Sequence, residues 1–183
     1  MQGHLERDGH RTWYRVVGEL DPDALHAPVV ICHGGPGATH DYVEPIAELH
    51  RSGRACVLYD QLGNGNSDHL PDADASFWTT QLFKDELTAL ADHLGIAGRY
   101  HVIGPLREWT IVDRLGEFDV PLLLISGEFD EVRPDVVRVI DERVPDSEWV
   151  LFEGCSHTPH LEAPDRFLKT VEEFLERVET PAG

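Results

Sequence analysis

Asp130 and His157 are the residues whose types and setting suit acyl transfer. Each lies just beyond a short apolar run, Leu122-Leu123-Leu124-Ile125 for the acid and Trp149-Val150-Leu151-Phe152 for the histidine, with one helical pattern between the runs. Their loops can therefore meet at one sheet edge, where a carboxylate fixes the tautomer of an imidazole and stabilises its charged form. Upstream, His33-Gly34-Gly35-Pro36-Gly37 follows the β-branched run Val29-Val30-Ile31-Cys32. Only glycines turn a chain so tightly, and the Gly34 and Gly35 amides can be aimed at a developing oxyanion.

Such chemistry also needs an attacking group, and none stands where it is required. The chain has six serines (Ser52, Ser67, Ser76, Ser126, Ser147 and Ser156), none of them in a G-x-S-x-G turn. Ser156 comes nearest, within Gly154-Cys155-Ser156-His157-Thr158, but adjacent loop residues rarely point their side chains at each other. The same geometry disfavours Cys155 as a thiolate activated by His157. His157 and His160 form an H-x-x-H pair, yet no further ligand spacing accompanies them and Pro159 disfavours a helix between them, so no metal is expected. Plainer readings stand beside the sharp ones. Asp130 would also serve as a helix cap, His157 as a loop histidine on Phe152, and Ser67 and Asn64 as ties within their own loop.

Alternating strands and helices must position these groups. Strand patterns at 29–32, 55–59, 100–103, 122–125 and 149–152 alternate with helical ones at 42–50, 79–94, 136–144 and 167–178. In the longest of the first three, Leu82, Phe83, Leu87, Leu90, Ala91 and Leu94 share one face, and Gly95 ends it. Pro164 suits the first turn of the last helix. Residues 5–19, around Trp13-Tyr14-Arg15-Val16-Val17, read as a hairpin at the sheet edge. The alternation predicts an α/β fold with a mostly parallel sheet and helices on both faces. Reacting groups of such sheets lie on loops beyond the strands' carboxyl ends.

Composition narrows the field further. The 183 residues carry 15 Lys and Arg against 34 Asp and Glu, a formal charge of −19 that disfavours nucleic acid and anionic membranes. No apolar run approaches the ~20 residues of a membrane-spanning helix. The opening residues Met1–Asp8 are polar, so no secretory leader is expected. Three widely spaced cysteines fit free thiols in a reducing cytoplasm.

Four segments together carry a family resemblance: His33-Gly34-Gly35-Pro36-Gly37, Asp60-Gln61-Leu62-Gly63-Asn64-Gly65-Asn66-Ser67, Ser126-Gly127-Glu128-Phe129-Asp130-Glu131 and Gly154-Cys155-Ser156-His157-Thr158-Pro159-His160. In order and strand context they resemble the proline iminopeptidases, serine aminopeptidases of the α/β-hydrolase fold. The order of acid before histidine is also that of the fold. The resemblance implies cytoplasmic release of N-terminal proline or small residues from peptides or amides, without a cofactor, with Asp130 and His157 as triad members and Gly34 and Gly35 in the oxyanion loop.

The family's nucleophile elbow should follow Tyr100-His101-Val102-Ile103, but Gly104 is followed there by Pro105-Leu106-Arg107-Glu108-Trp109-Thr110-Ile111-Val112-Asp113-Arg114-Leu115, which resembles the segment just after the family's helical cap. One truncated core, residues 1–183, is thus expected, with elbow helix, a central strand and cap lost at a seam near 101–106. Little or no activity would remain. The strands at Tyr100 and Leu122 would lose their cover, offering an exposed sheet surface for self-association. A non-catalytic partner-binding protein, or the product of an internally deleted gene, are the alternative readings.

Overall fold

In the computed structural model, residues 1–34, 37–104 and 112–180 are described, with backbone alone for Val112 and Asp113. The chain divides into two compact units, Met1–Leu106 and Arg107–Gly183.

The first unit is built on a five-stranded sheet. Strands β1 (Gln2–Arg7) and β2 (His10–Val17) form an edge hairpin, as expected, though it starts before Leu5 and ends before Glu19; β2 pairs antiparallel with β4 (Cys56–Tyr59), and β4 runs parallel to β3 (Val29–Cys32), which runs parallel to β5 (His101–Ile103). The order is therefore β1-β2-β4-β3-β5. Parallel pairing holds for β3, β4 and β5, while the hairpin departs from it because a two-residue turn can join only antiparallel strands.

Strand alternation divides the core between the two faces. Val30, Val57 and Tyr59 pack with Leu5, Tyr14 and Val16 against Leu90 and Ala91 of α1 (Thr80–His93). Cys56 and Leu58 turn the other way and are completely buried. A helix is expected over 42–50, and the chain there forms a 3₁₀ helix, Glu44–Ser52, burying Ile46, Ala47 and Leu49. Its His50 backbone hydrogen-bonds the Cys56 side chain, which places it over this second face. Helix α1 starts where the Thr79 hydroxyl accepts the Leu82 amide at 3.1 Å.

The second unit contains a β-α-β turn. Strands β6 (Leu122–Gly127) and β7 (Ser147–Phe152) pair in parallel, joined through α2 (Pro134–Asp141). Helix α2 begins two residues before the expected Val136, because Pro134 is preorganised for a first turn, and it stops at Asp141. Short α3 (Pro159–Glu162) and long α4 (Pro164–Glu179) follow, and the buried Phe167, Val171 and Leu175 of α4 recur at fourfold spacing. Among the described residues no helix is long and apolar enough to cross a membrane.

One carboxylate sits on the apolar face of α1. Glu86 is 3% exposed; its Oε1 accepts the Thr12 hydroxyl at 2.5 Å and the Leu62 amide at 2.9 Å, while Oε2 is buried without a partner. Burial raises its pKa, against the two hydrogen bonds and the pull of Arg7. The folded state therefore binds this proton more tightly than the unfolded chain. That contribution to stability is complete below the ordinary carboxylate pKa of 4.5 and is lost as pH rises through the folded value. Glu86→Gln should thus gain stability relative to the parent chain as pH rises above about 4.5, with a slope of at most about 1.4 kcal/mol per pH unit. Urea unfolding across pH 4–8 measures the difference, and a difference that does not change with pH would refute the assignment.

Candidate active site

Asp130 and His157 meet as expected, both in the second unit. The imidazole Nδ1 lies 2.9 Å from Asp130 Oδ1, the acid side chain being 8% exposed and the histidine 49%. A carboxylate oxygen can only accept here, so Nδ1 carries the proton and Nε2 the lone pair. Asp130 Oδ1 also accepts the Val132 amide at 2.8 Å, an Asx turn that fixes the carboxylate on its own loop.

The two loops are held together by backbone. The Glu128 amide donates to Phe152 O at 3.0 Å, the Phe129 amide to Cys155 O at 2.9 Å, and the Gly154 amide to the Glu128 side chain at 3.0 Å. Their approach is so close that a Cβ on Gly127 would stand 2.5 Å from Cys155 O and nearer still to Ser156 O. Glycine is required at 127 for this reason.

Glu162, which the sequence reading missed, brackets His157. It accepts the Ser156 amide (2.9 Å) and hydroxyl (2.8 Å) and the Thr158 amide (3.2 Å) and hydroxyl (3.0 Å). These amides and hydroxyls hold its carboxyl below the usual range. The available signal was Thr158 before a proline-led helix with a glutamate four residues on, a variant of the capping box. Pro159 opens α3 rather than preventing a helix, and His160 packs edge-on against Phe167 with centroids 5.8 Å apart.

In the first unit the loop after β4 is organised by Asp60, which has no solvent exposure. Its carboxylate accepts the His40 amide (2.8 Å), His40 Nδ1 (2.9 and 3.0 Å), the Asn66 amide (2.9 Å) and Asn66 Nδ2 (3.2 Å). Burial pushes its pKa up, but the donors from Asn66 and His40 outweigh that and hold it low. Gly65 passes so close that any Cβ would collide with this carboxylate.

His33 Nε2 accepts the Gln61 amide at 2.9 Å, so its proton is on Nδ1 and donates to Gly34 O at 2.6 Å. Burial lowers the His33 pKa, keeping the ring neutral. Asn64 and Ser67 tie their own loop and its neighbours: Asn64 Oδ1 accepts the Gly37 amide at 2.9 Å, and Ser67 Oγ accepts the Trp13 amide at 2.8 Å while donating to Asp60 O. The sequence reading expected the Gly34 amide to be unobstructed. It donates instead to the Tyr42 hydroxyl, a partner supplied by the following 3₁₀ turn. Gly35 lies outside the described residues.

No serine hydroxyl is hydrogen-bonded to a histidine among the described residues. Ser52 donates to Leu49 O, Ser76 to Asp74, Ser147 to Asp141 and Ser156 to Glu162, while Ser126 accepts the Trp149 indole. Burial pushes the Cys32 thiol to about 11 and Cys56 to about 12, so both are neutral near pH 7.

Fold and site define an α/β hydrolase: residues 27–105 match the family described as the α/β hydrolase fold. The proline iminopeptidase of Clostridioides difficile (strain 630) is 36% identical over 289 positions, covering 95% of this chain and 97% of that protein. The chain belongs to the proline iminopeptidase family. That of Lactiplantibacillus plantarum is 41% identical over 98 residues, 53% of this chain and 32% of that protein. The crystal structure of proline iminopeptidase from Mycobacterium smegmatis superposes with a TM-score of 0.92 at 25% identity, covering 100% of both chains. An alignment of 289 positions against 183 residues leaves at least 106 facing a gap, so the chain is much shorter than these relatives.

Gly127→Ala should separate the Asp130 and His157 loops, destabilising the protein by about 3 kcal/mol. It should also remove the low-field imidazole proton signal of the Asp130–His157 contact. Urea unfolding and proton NMR read the two effects, and a stable variant that keeps that signal would contradict the close approach.

Proposed function

We propose that this chain is a proline iminopeptidase core that has lost its nucleophile and releases no N-terminal proline at enzyme-like rates. What carries the reading is an imidazole oriented by Asp130 with no serine hydroxyl bonded to it among the described residues. The sequence after β5 supports it, because Gly104 leads into Pro105-Leu106-Arg107 where an elbow serine belongs. Residues 105–111 lie outside the described residues. The shortfall against the relatives suits an internal loss of elbow helix, central strand and cap, with a seam near 101–106 in one core of residues 1–183.

Asp130 and His157 are then remnants of a triad, and Gly34 and Gly35 of an oxyanion loop. The ancestral substrates are peptides or amides with N-terminal proline or another small residue. A cytoplasmic setting accords with three free thiols. Loss of a triad nucleophile lowers turnover by about 10⁶.

A second copy of the chain is the partner we assign to the β5 edge. Strand β5 ends the five-stranded sheet, and Val102 on it is 52% exposed. A terminal strand carrying an exposed apolar side chain favours association. Size-exclusion chromatography should show a dimer that Val102→Lys dissociates; a parent chain that is monomeric at all concentrations would remove this reading.

The central test treats the purified chain with a fluorophosphonate probe and with proline p-nitroanilide. Neither labelling nor turnover above about 10⁻⁶ of ordinary family rates is expected. A labelled serine or normal turnover would overturn the proposal.

A further inference from the structure

We propose that His157 is itself a nucleophile toward activated aryl esters, its Nε2 taking the acyl group that a serine would otherwise receive. This inference rests on the reading that no serine attacks, and it adds an activity to that reading. Asp130 holds the Nδ1 proton at 2.9 Å, so the lone pair is confined to Nε2. Among the described residues Nε2 has no hydrogen-bond partner, and the side chain is half exposed, open to a small ester from solvent.

Its neighbours do not compete for the acyl group. The Ser156 and Thr158 hydroxyls both donate to Glu162, and Cys155 is buried. The loop is also fixed in place. Ser156 and Thr158 amides on Glu162, the Gly154 amide on Glu128, and the Phe129 amide on Cys155 O anchor it on both sides of the ring. The imidazole is therefore presented in one orientation with its tautomer set, which a free imidazole in water is not.

In the first step the Nε2 lone pair bonds to the ester carbonyl carbon, and the C–O bond to the aryl group breaks with its electron pair leaving as aryloxide. The acyl-imidazolium keeps its Nδ1 proton on Asp130, whose charge offsets that of the ring. Water then adds to the acyl carbon and gives its proton to solvent. The C–N bond breaks, its pair returns to Nε2, and the carboxylic acid departs. Water is the only co-reactant.

The leaving group sets the substrate class. An activated aryloxide such as p-nitrophenoxide leaves the tetrahedral adduct about as readily as imidazole does, so the adduct partitions forward, whereas an amide nitrogen is not expelled and the adduct of a peptide reverts. The chain should hydrolyse p-nitrophenyl acetate but not proline p-nitroanilide.

The test measures p-nitrophenyl acetate hydrolysis by the full chain, with thermal melts confirming that each variant is folded. His157→Gln should lower the protein-dependent rate about tenfold, the remainder coming from the other ten histidines. Asp130→Asn should lower it severalfold by releasing the tautomer, and His69→Gln, in the other unit, should leave it unchanged. A His157→Gln protein at the parent rate, or a His69→Gln protein that falls equally, would overturn the inference. If fluorophosphonate abolishes the rate, a serine is attacking and the proposed function falls with it. A rate insensitive to that probe but lost in His157→Gln supports both.

Discussion

Asp60 is a carboxylate with no solvent exposure and, among the described residues, no arginine or lysine bonded to it, and the loops of the first unit are arranged around that fact. A buried anion must be met by donors or it gives up its charge. Here the donors come from two directions, the His40 amide and ring from the turn after β3 and the Asn66 amide and side chain from Asp60's own loop. His40 opens a short 3₁₀ turn, His40–Tyr42, and Asn66 lies in a turn outside any helix or strand, so the donors fix two otherwise weakly determined stretches of backbone. Residues 37–39 lead straight into His40, so their path is tied to a carboxylate at the end of the neighbouring strand. Gly65 is part of the same constraint, since only a residue without a side chain lets Asn66 approach.

The second unit uses the same device at lower burial. Glu162 gathers two amides and two hydroxyls and thereby sets the backbone on either side of His157, and Asp130 then needs to orient only a ring. Hydrogen bonds to a charged acceptor are worth more than neutral ones, so few are needed to order a loop. Glu86 is the contrasting case. It receives two donors, both on one oxygen, and the other oxygen is left without any, so its charge is disfavoured where that of Asp60 is favoured.

The elements and the Asp130–His157 contact were legible because they rest on local signals. Asp8-Gly9 marks a hairpin turn, and β1 and β2 pair across it from Gln2–Arg15 to Arg7–His10. The apolar face of α1 and the strand-then-loop setting of Asp130 and His157 are likewise written in spacing. Side-chain partners from distant segments are not. That Asp60 would take donors from His40, twenty residues upstream, or that Tyr42 would occupy the Gly34 amide, depends on how two turns meet after folding. Glu86 was visible in retrospect as an acid midway between Leu82 and Leu90, on a face otherwise apolar. The kind of helix at 44–52 was not visible, because the threefold apolar spacing of Val43, Ile46 and Leu49 suits one face of a 3₁₀ helix and of an α-helix alike.

The Asp130–His157 pair owes nothing to a nucleophile for its geometry. Among the described residues, the contacts that set it come from within residues 127–162: the Asx turn at Val132, the backbone bonds between the two loops, the close approach that leaves no room for a Cβ at Gly127, and Glu162. These same contacts close the end of the β6–β7 sheet, so breaking them would cost stability whether or not any chemistry occurs. In an active triad the histidine's other nitrogen is satisfied by the attacking hydroxyl, and that hydroxyl is supplied by a different strand. On the reading proposed above, losing the hydroxyl leaves the imidazole in place, its Nε2 without a hydrogen-bond partner among the described residues. The orientation of the ring is thus kept by the same hydrogen bonds that hold the loops of the second unit together.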